Sequence, residues 1–239
     1  MSKKVLIFGA NGRLGQHIIS ELNDEYQITA VDIQDQSIIK CNDYRQITSL
    51  QDVGSLYSDD LYYAVIHCQQ IKPAGFTQTN LLELGIEEYD KIMDTNLKLS
   101  FLSTQCYVKS TLNIDDDIKG RIINFVSTYS MISSNPSLYD GTEMGNPVHY
   151  TISKAGLLGL TKYVAANIRE YGVLCNSIAP HGIENSQSSQ FKDNYAKRNP
   201  MGRLSSPSEV LPAIKFLLDE ENTYVNGANI AVDGGWTAC

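Results

Sequence analysis

Short apolar runs alternate with helically spaced segments along most of this chain, and that alternation leaves few folds open. Val5 to Phe8 is bounded by Gly9, and Leu14, Ile18, Ile19 and Leu22 then line one face of a helix. Further strand-like runs are Ile28 to Val31, Ala64 to Ile66, Ile122 to Val126, Val173 to Ile178 and Asn229 to Val232. Helical stretches fall at about 86–110, 148–170 and 207–219. Repeated βαβ units of this kind predict an α/β fold with a doubly wound parallel sheet of about seven strands and helices on both faces. The length, 239 residues with 42% apolar, suits one domain spanning 1–239.

Two segments are rich in polar and turn residues, 133–147 and 182–203. Loops of that length in a compact domain usually serve a function, and in doubly wound folds the loops beyond the strands' carboxyl ends line the ligand crevice. Ser206, Pro207 and Glu209 form a capping box with proline at the first helical position. Pro212 then predicts a kink or a later helix start.

Charge excludes some partners. The net charge of −8 gives no basic face for nucleic acid and argues against an anionic membrane surface. Five cysteines, an odd number with no C-x-x-C spacing, argue against a disulfide framework or a zinc site, and no metal is expected. The stretch from Met1 to Gly9 is too short for a signal peptide or a membrane span, so a cytoplasmic location is expected.

Gly9-Ala10-Asn11-Gly12-Arg13-Leu14-Gly15 follows the first strand and opens the first helix. Glycines there permit a tight turn and close approach to a pyrophosphate, and the helix N-terminus supplies free N–H groups. A glycine triplet alone also fits an ordinary strand-to-helix turn. Asp32, 17 residues after Gly15 at the end of the second strand, tips the reading to a Rossmann-type dinucleotide site. Its carboxylate can accept from ribose hydroxyls and repels a 2′-phosphate, which predicts NAD over NADP. Asp35 is an alternative partner. Arg13 either contacts the pyrophosphate or is solvated.

Tyr150 and Lys154, four apart, share one helical face. A free tyrosine is too weak a base near neutrality, and a nearby ammonium favours its phenolate. That is the chemistry needed to move a proton between an alcohol and a carbonyl. Ser127 ends the strand that contains Ile122 to Val126, so its hydroxyl falls at the crevice, within reach of a substrate oxygen. Asn96 lies in an otherwise apolar helix face and needs partners. It anchors a water in a proton relay, or it is a core amide satisfied by backbone.

With these residues in view, the sequence resembles the classical short-chain dehydrogenase/reductases over nearly its whole length. The stretches that carry the resemblance are the strand ending at Ser127, Tyr150 to Gly156, Val173 to Pro180, Met201 to Leu204 and Val232 to Trp236. The resemblance implies a catalytic tetrad of Asn96, Ser127, Tyr150 and Lys154, with Lys154 also holding the nicotinamide ribose. It implies a cofactor site of Gly9, Asn11, Gly12, Arg13, Leu14, Gly15, Asp32, Asp43, Cys68, Tyr150, Lys154 and Ile183. It implies a dinucleotide-binding N-terminal half and a catalytic, substrate-loop C-terminal half. It also implies a homo-oligomer, a tetramer or dimer, built through the helices near 86–110 and 148–170.

Four departures stand out. The glycine loop is G-x-x-G-x-x-G, the spacing of the extended branch. His67-Cys68-Gln69-Gln70 replaces the usual Asn-Asn-Ala-Gly. His181 and Asn185 stand where glycine and threonine are usual. Ser127 and Tyr150 are 23 residues apart, and the extra residues include Tyr139 to Met144. That insert, with Pro147-Val148-His149, resembles the subgroup of flagellin-glycan and nonulosonic, sialic-acid-like sugar pathways. The small-molecule substrate expected is a polar sugar or sugar derivative, with Glu143, His149, His181 and Asn185 as contacts or as loop-stabilising residues. The alternatives are a 3-oxoacyl or polyol reductase of the same fold, and a non-catalytic dinucleotide-binding protein.

Overall fold

The computed structural model describes residues 3–71, 81–114 and 119–239. Its strands are β1 (Lys4–Phe8), β2 (Gln27–Asp32), β3 (Asp43–Gln46), β4 (Ala64–His67), β5 (Gly120–Phe125), β6 (Val173–Pro180) and β7 (Asn229–Val232). They form one parallel sheet in the order β3-β2-β1-β4-β5-β6-β7. Strand order reverses between β1 and β4, and in such sheets ligands bind beyond the carboxyl ends at that reversal. The central strands read as continuous apolar runs because both of their faces are covered. Strand β3 sits at the edge with the sequence Asp-Tyr-Arg-Gln and carries no apolar signature.

Helix α1 (Arg13–Leu22) and helix α6 (Leu211–Leu218) cover one face, packing on Ile7, Ile66, Ile123 and Ile178. The other face holds Leu6, Phe8, Val65, Ile122 and Cys175. It is covered by α3 (Leu99–Ser110) and α4 (Val148–Asn167) through Leu99, Tyr107 and Val164. Helix α2 (Ile86–Met93) runs into α3 through a π-helical turn, Asp94–Lys98. Such wide turns concentrate at functional sites.

The segment 182–203 is not all loop. It contains α5 (Ser189–Ala196), capped by the Ser188 hydroxyl, which accepts from the Phe191 N–H. Before α6, Pro207–Val210 form a 3-10 turn with the Ser206–Glu209 capping box, and both Glu209 oxygens accept from Arg203 at 2.7 Å. Helix α6 therefore starts late, and Pro212 falls in its first turn, where a missing N–H costs no intrahelical bond. No helix among the described residues is long and apolar enough to cross a membrane.

His67 ends β4 as a fully buried side chain. Its Nδ1 lies 2.7 Å from Asn124 Oδ1, and its Nε2 lies 2.7 Å from Ser103 Oγ, which meets Tyr57 Oη at 2.5 Å. The Asn124 amide donates to Thr161 Oγ1 at 2.9 Å. This residue thus ties the sheet to α3 and α4 from within.

Candidate active site

The glycine loop is pinned before any ligand is considered. The N–H groups of Gly9 and Ala10 donate to Val31 O at 2.9 and 3.1 Å, and Asn11 N–H donates to Asp32 Oδ2 at 2.9 Å. Gly9 has φ +78°, and a Cβ there would lie 2.5 Å from Gln69 Cα. A Cβ on Gly15 would lie 2.2 Å from Gly9 O. Gly12 has an ordinary φ and is exposed, so it leaves the α1 N-terminus bare. Bare glycine, free helix-end N–H groups and the Asp32 carboxylate at one sheet edge fit a pyrophosphate and an adenosine ribose.

The other residues named for this site divide. Asn11 faces the segment after β2. Its amide donates to Gln34 Oε1 (2.9 Å), Gln36 O (3.0 Å) and Tyr44 Oη (3.2 Å), and its oxygen accepts from Ile38 N–H. Arg13 donates to Asn185 Oδ1 at 2.9 Å, linking the loop to the segment beyond β6. Leu14 is half-buried against the core. Ile183 lies just beyond β6, where its backbone pairs with Ser205. Cys68 follows β4 and donates to Phe8 O at 2.8 Å, and burial pushes its thiol up to about 12.

Asp43 does not join them. It starts β3 opposite Thr29, whereas Gln46 is the residue opposite Asp32 at the carboxyl edge. Three residues of parallel strand, about 10 Å, separate Asp43 from that edge. Its carboxylate accepts instead from Arg45 Nε at 2.7 Å.

Three of the four tetrad candidates, Ser127, Tyr150 and Lys154, come together at the carboxyl end of β5. Ser127 caps the 3-10 turn Thr128–Ser130, its Oγ accepting from Tyr129 N–H at 3.2 Å. Tyr150 lies in the first turn of α4, and the Ser127 hydroxyl interacts with its phenol. Burial pushes the Tyr150 phenol above its ordinary value, and the Ser127 hydroxyl draws it partly back. The expected lowering by Lys154 does not appear among the causes of this shift. The Lys154 ammonium donates to Phe125 O at 2.7 Å and lies 5.9 Å from the Tyr150 ring centroid.

Asn96 sits in the π turn, fully buried. Its oxygen accepts from Ile71 N–H at 3.4 Å, and its amide donates to Ser153 Oγ at 3.2 Å. Ser153 Oγ in turn donates to Tyr150 O at 2.8 Å. Asn96 therefore steadies the turn that carries Tyr150 through Ser153, a residue that no spacing in the sequence singled out. The loop candidates scatter. Glu143 is exposed, and buried His149 lies 3.4 Å from Glu88 on α2. His181 is buried beside Thr128.

Buried His67 and His181 are both pushed down to about 4, first by burial. Unfolded histidine titrates near 6.5, so between 6.5 and 4 the unfolded chain binds more protons, and stability falls as pH falls. Urea unfolding in pH steps is expected to show a loss that begins near pH 6.5, on the order of 3 kcal/mol per histidine by pH 4. Flat stability from pH 7 to 5 would rule out these burial-depressed histidines.

A family model described as enoyl-(acyl carrier protein) reductase matches residues 62–237. The chain is 27% identical to a 3-oxoacyl-(acyl-carrier-protein) reductase of Rickettsia bellii over 249 aligned residues, covering 96% of this chain and 95% of that one. A short-chain dehydrogenase from Leptospira borgpetersenii with bound NAD+ superposes with a TM-score of 0.89 at 27% identity, over 99% of this chain and 93% of the other. ElxO with NADP bound superposes at 0.85 and 19% identity, over 100% of both chains, a likeness of fold.

Proposed function

Because the chain belongs to the short-chain dehydrogenase/reductase family of oxidoreductases, we propose that it interconverts an alcohol and a carbonyl with NAD(H), on a polar sugar or sugar-derived substrate of surface-glycan synthesis. One observation carries the chemistry: the Ser127 hydroxyl interacts with the Tyr150 phenol at the carboxyl end of β5, beside the glycine loop's crevice. Ser127 orients the substrate oxygen. Tyr150 gives that oxygen a proton in reduction and takes one in oxidation. Lys154, held by the Phe125 carbonyl, keeps a positive charge near the phenol and favours its deprotonated form. A bound nicotinamide supplies the redox partner for the substrate carbon. The Asp32 carboxylate at the ribose position supports NAD over NADP, because a 2′-phosphate there would face a like charge.

The sugar reading draws on the polar insert that contains Tyr139, whose hydroxyl lies 3.0 Å from that of Tyr129. The curated relative favours the second reading, a 3-oxoacyl reductase. Against an acidic acyl carrier, Lys192 is paired with Glu184 at 2.8 Å, which weakens a basic rim near 182–203. Exposed Phe101 on α3, with Ile152 and Tyr163 on α4, supports a homo-oligomer, a tetramer or dimer, built through these helices, and a cytoplasmic location belongs to the same reading. NADH consumption against a panel of oxo-sugars, oxo-polyols and 3-oxoacyl thioesters separates the readings. The sugar reading expects turnover on oxo-sugars, and turnover on the thioesters alone would replace it.

A further inference from the structure

His181 stands one residue beyond β6, buried to within 6% of full enclosure, where the family resemblance puts a glycine. Glycine could make neither of the two kinds of contact this imidazole makes. Its Nδ1 lies 2.7 Å from the hydroxyl of Thr128, the residue after Ser127. Its ring lies 4.2 Å from that of Trp236, stacks on Tyr195 at 5.3 Å and meets the edge of Tyr129 at 5.4 Å.

The backbone fastens the same junction. His181 N–H donates to Val232 O, and Tyr195 Oη donates to His181 O at 3.3 Å. Gly182 has φ +58°, and a Cβ there would fall 2.3 Å from the Tyr195 ring. Asn199 donates both to Tyr195 Oη and to Asp233 O, closing the C-terminal turn onto α5. Against this rigid group stands a turn of only three residues, Thr128–Ser130, whose geometry sets where the Ser127 hydroxyl points.

We propose that His181 is a positioning residue for the Ser127–Tyr150 pair, holding Thr128, and with it the turn that carries Ser127, against the Trp236 and Tyr195 rings. The proposal rests on Tyr150 being the proton-transfer residue. It adds that the C-terminal turn and α5 set the aim of Ser127 through one imidazole.

The test reads the interaction between the Ser127 hydroxyl and the Tyr150 phenol without needing a substrate. In protein labelled with carbon-13 at the tyrosine Cζ, the Tyr150 resonance is assigned with Tyr150→Phe, and Ser127→Ala marks its position once the Ser127 hydroxyl is gone. His181→Phe keeps an aromatic ring and removes Nδ1. It is expected to move the resonance at least halfway to the Ser127→Ala position. His181→Asn offers Thr128 an amide in place of Nδ1 and is expected to stay near wild type, with a lower melting temperature. Thr128→Val, close in shape to the native residue, is expected to match His181→Phe and decides the question if that variant does not fold. A wild-type resonance in both His181→Phe and Thr128→Val would overturn the proposal. On any substrate the wild type turns over, kcat of His181→Phe is expected to fall about tenfold with NADH affinity unchanged. If the wild type turns over no carbonyl compound while the resonances shift as described, the oxidoreductase reading fails and the positioning role stands.

Discussion

Tyr150→Phe is expected to lower turnover by about 10²–10⁴-fold, the usual worth of a positioned general acid or base. The substitution removes one oxygen and keeps the ring, so packing around the first turn of α4 should hold. The Ser127 hydroxyl remains capped on Tyr129 N–H at 3.2 Å, so the turn beside the lost phenol also keeps its shape. NADH affinity and melting temperature are expected to change little. Steady-state kinetics beside a binding titration checks this. Loss of turnover with binding retained identifies Tyr150 as the proton carrier. Equal turnover in both proteins would remove it from the mechanism, and no turnover in the wild type would favour the non-catalytic dinucleotide-binding reading.

Gly15→Ala is expected to cost about 3 kcal/mol, the upper end for forcing a methyl into a packed site. The added Cβ would meet Gly9 O at 2.2 Å and Ala10 O at 2.8 Å. Both are backbone atoms, so no side-chain rotation relieves the contact. Relief requires moving the loop away from the start of α1, and NADH binding is expected to fall with stability. Gly54→Ala is the control, because nothing lies within 4 Å of its Cβ position. A Gly15→Ala protein with a wild-type urea midpoint and wild-type NADH affinity would contradict the loop geometry.

How much was legible in the sequence followed from how each element is buried. Strands β1, β2, β4, β5 and β6 announce themselves because each is apolar on both faces. Strand β3 has an exposed edge and the sequence Asp-Tyr-Arg-Gln, so nothing in it signals a strand. The same silence hides the place of Asp43, which falls at the start of β3 and away from the crevice only because of that strand's direction and register. Helix α5 was hidden in a polar segment because only Phe191 and Tyr195, four apart, face inward. Tyr150 and Lys154 stood out only through their spacing together with the family resemblance, because Y-x-x-x-K alone usually marks a surface pair. The π turn at Asn96 and the Asn96–Ser153–Tyr150 chain were not legible, since a one-residue widening of a helix has no composition of its own. His67 marked a departure from the family pattern, but its partners Asn124 and Ser103 are distant in sequence and meet it only in the fold.

The central claim, a NAD(H) site built from the glycine loop and Asp32, is tested most directly by titrating the protein with NADH and, separately, with NADPH. Energy transfer from Trp236, the single tryptophan in the chain, gives the signal. Saturable NADH binding is expected, with NADPH weaker by roughly tenfold or more because its 2′-phosphate would face the Asp32 carboxylate. Equal or tighter NADPH binding would remove Asp32 as the selector, and binding of neither nucleotide would contradict the account of this crevice as a dinucleotide site.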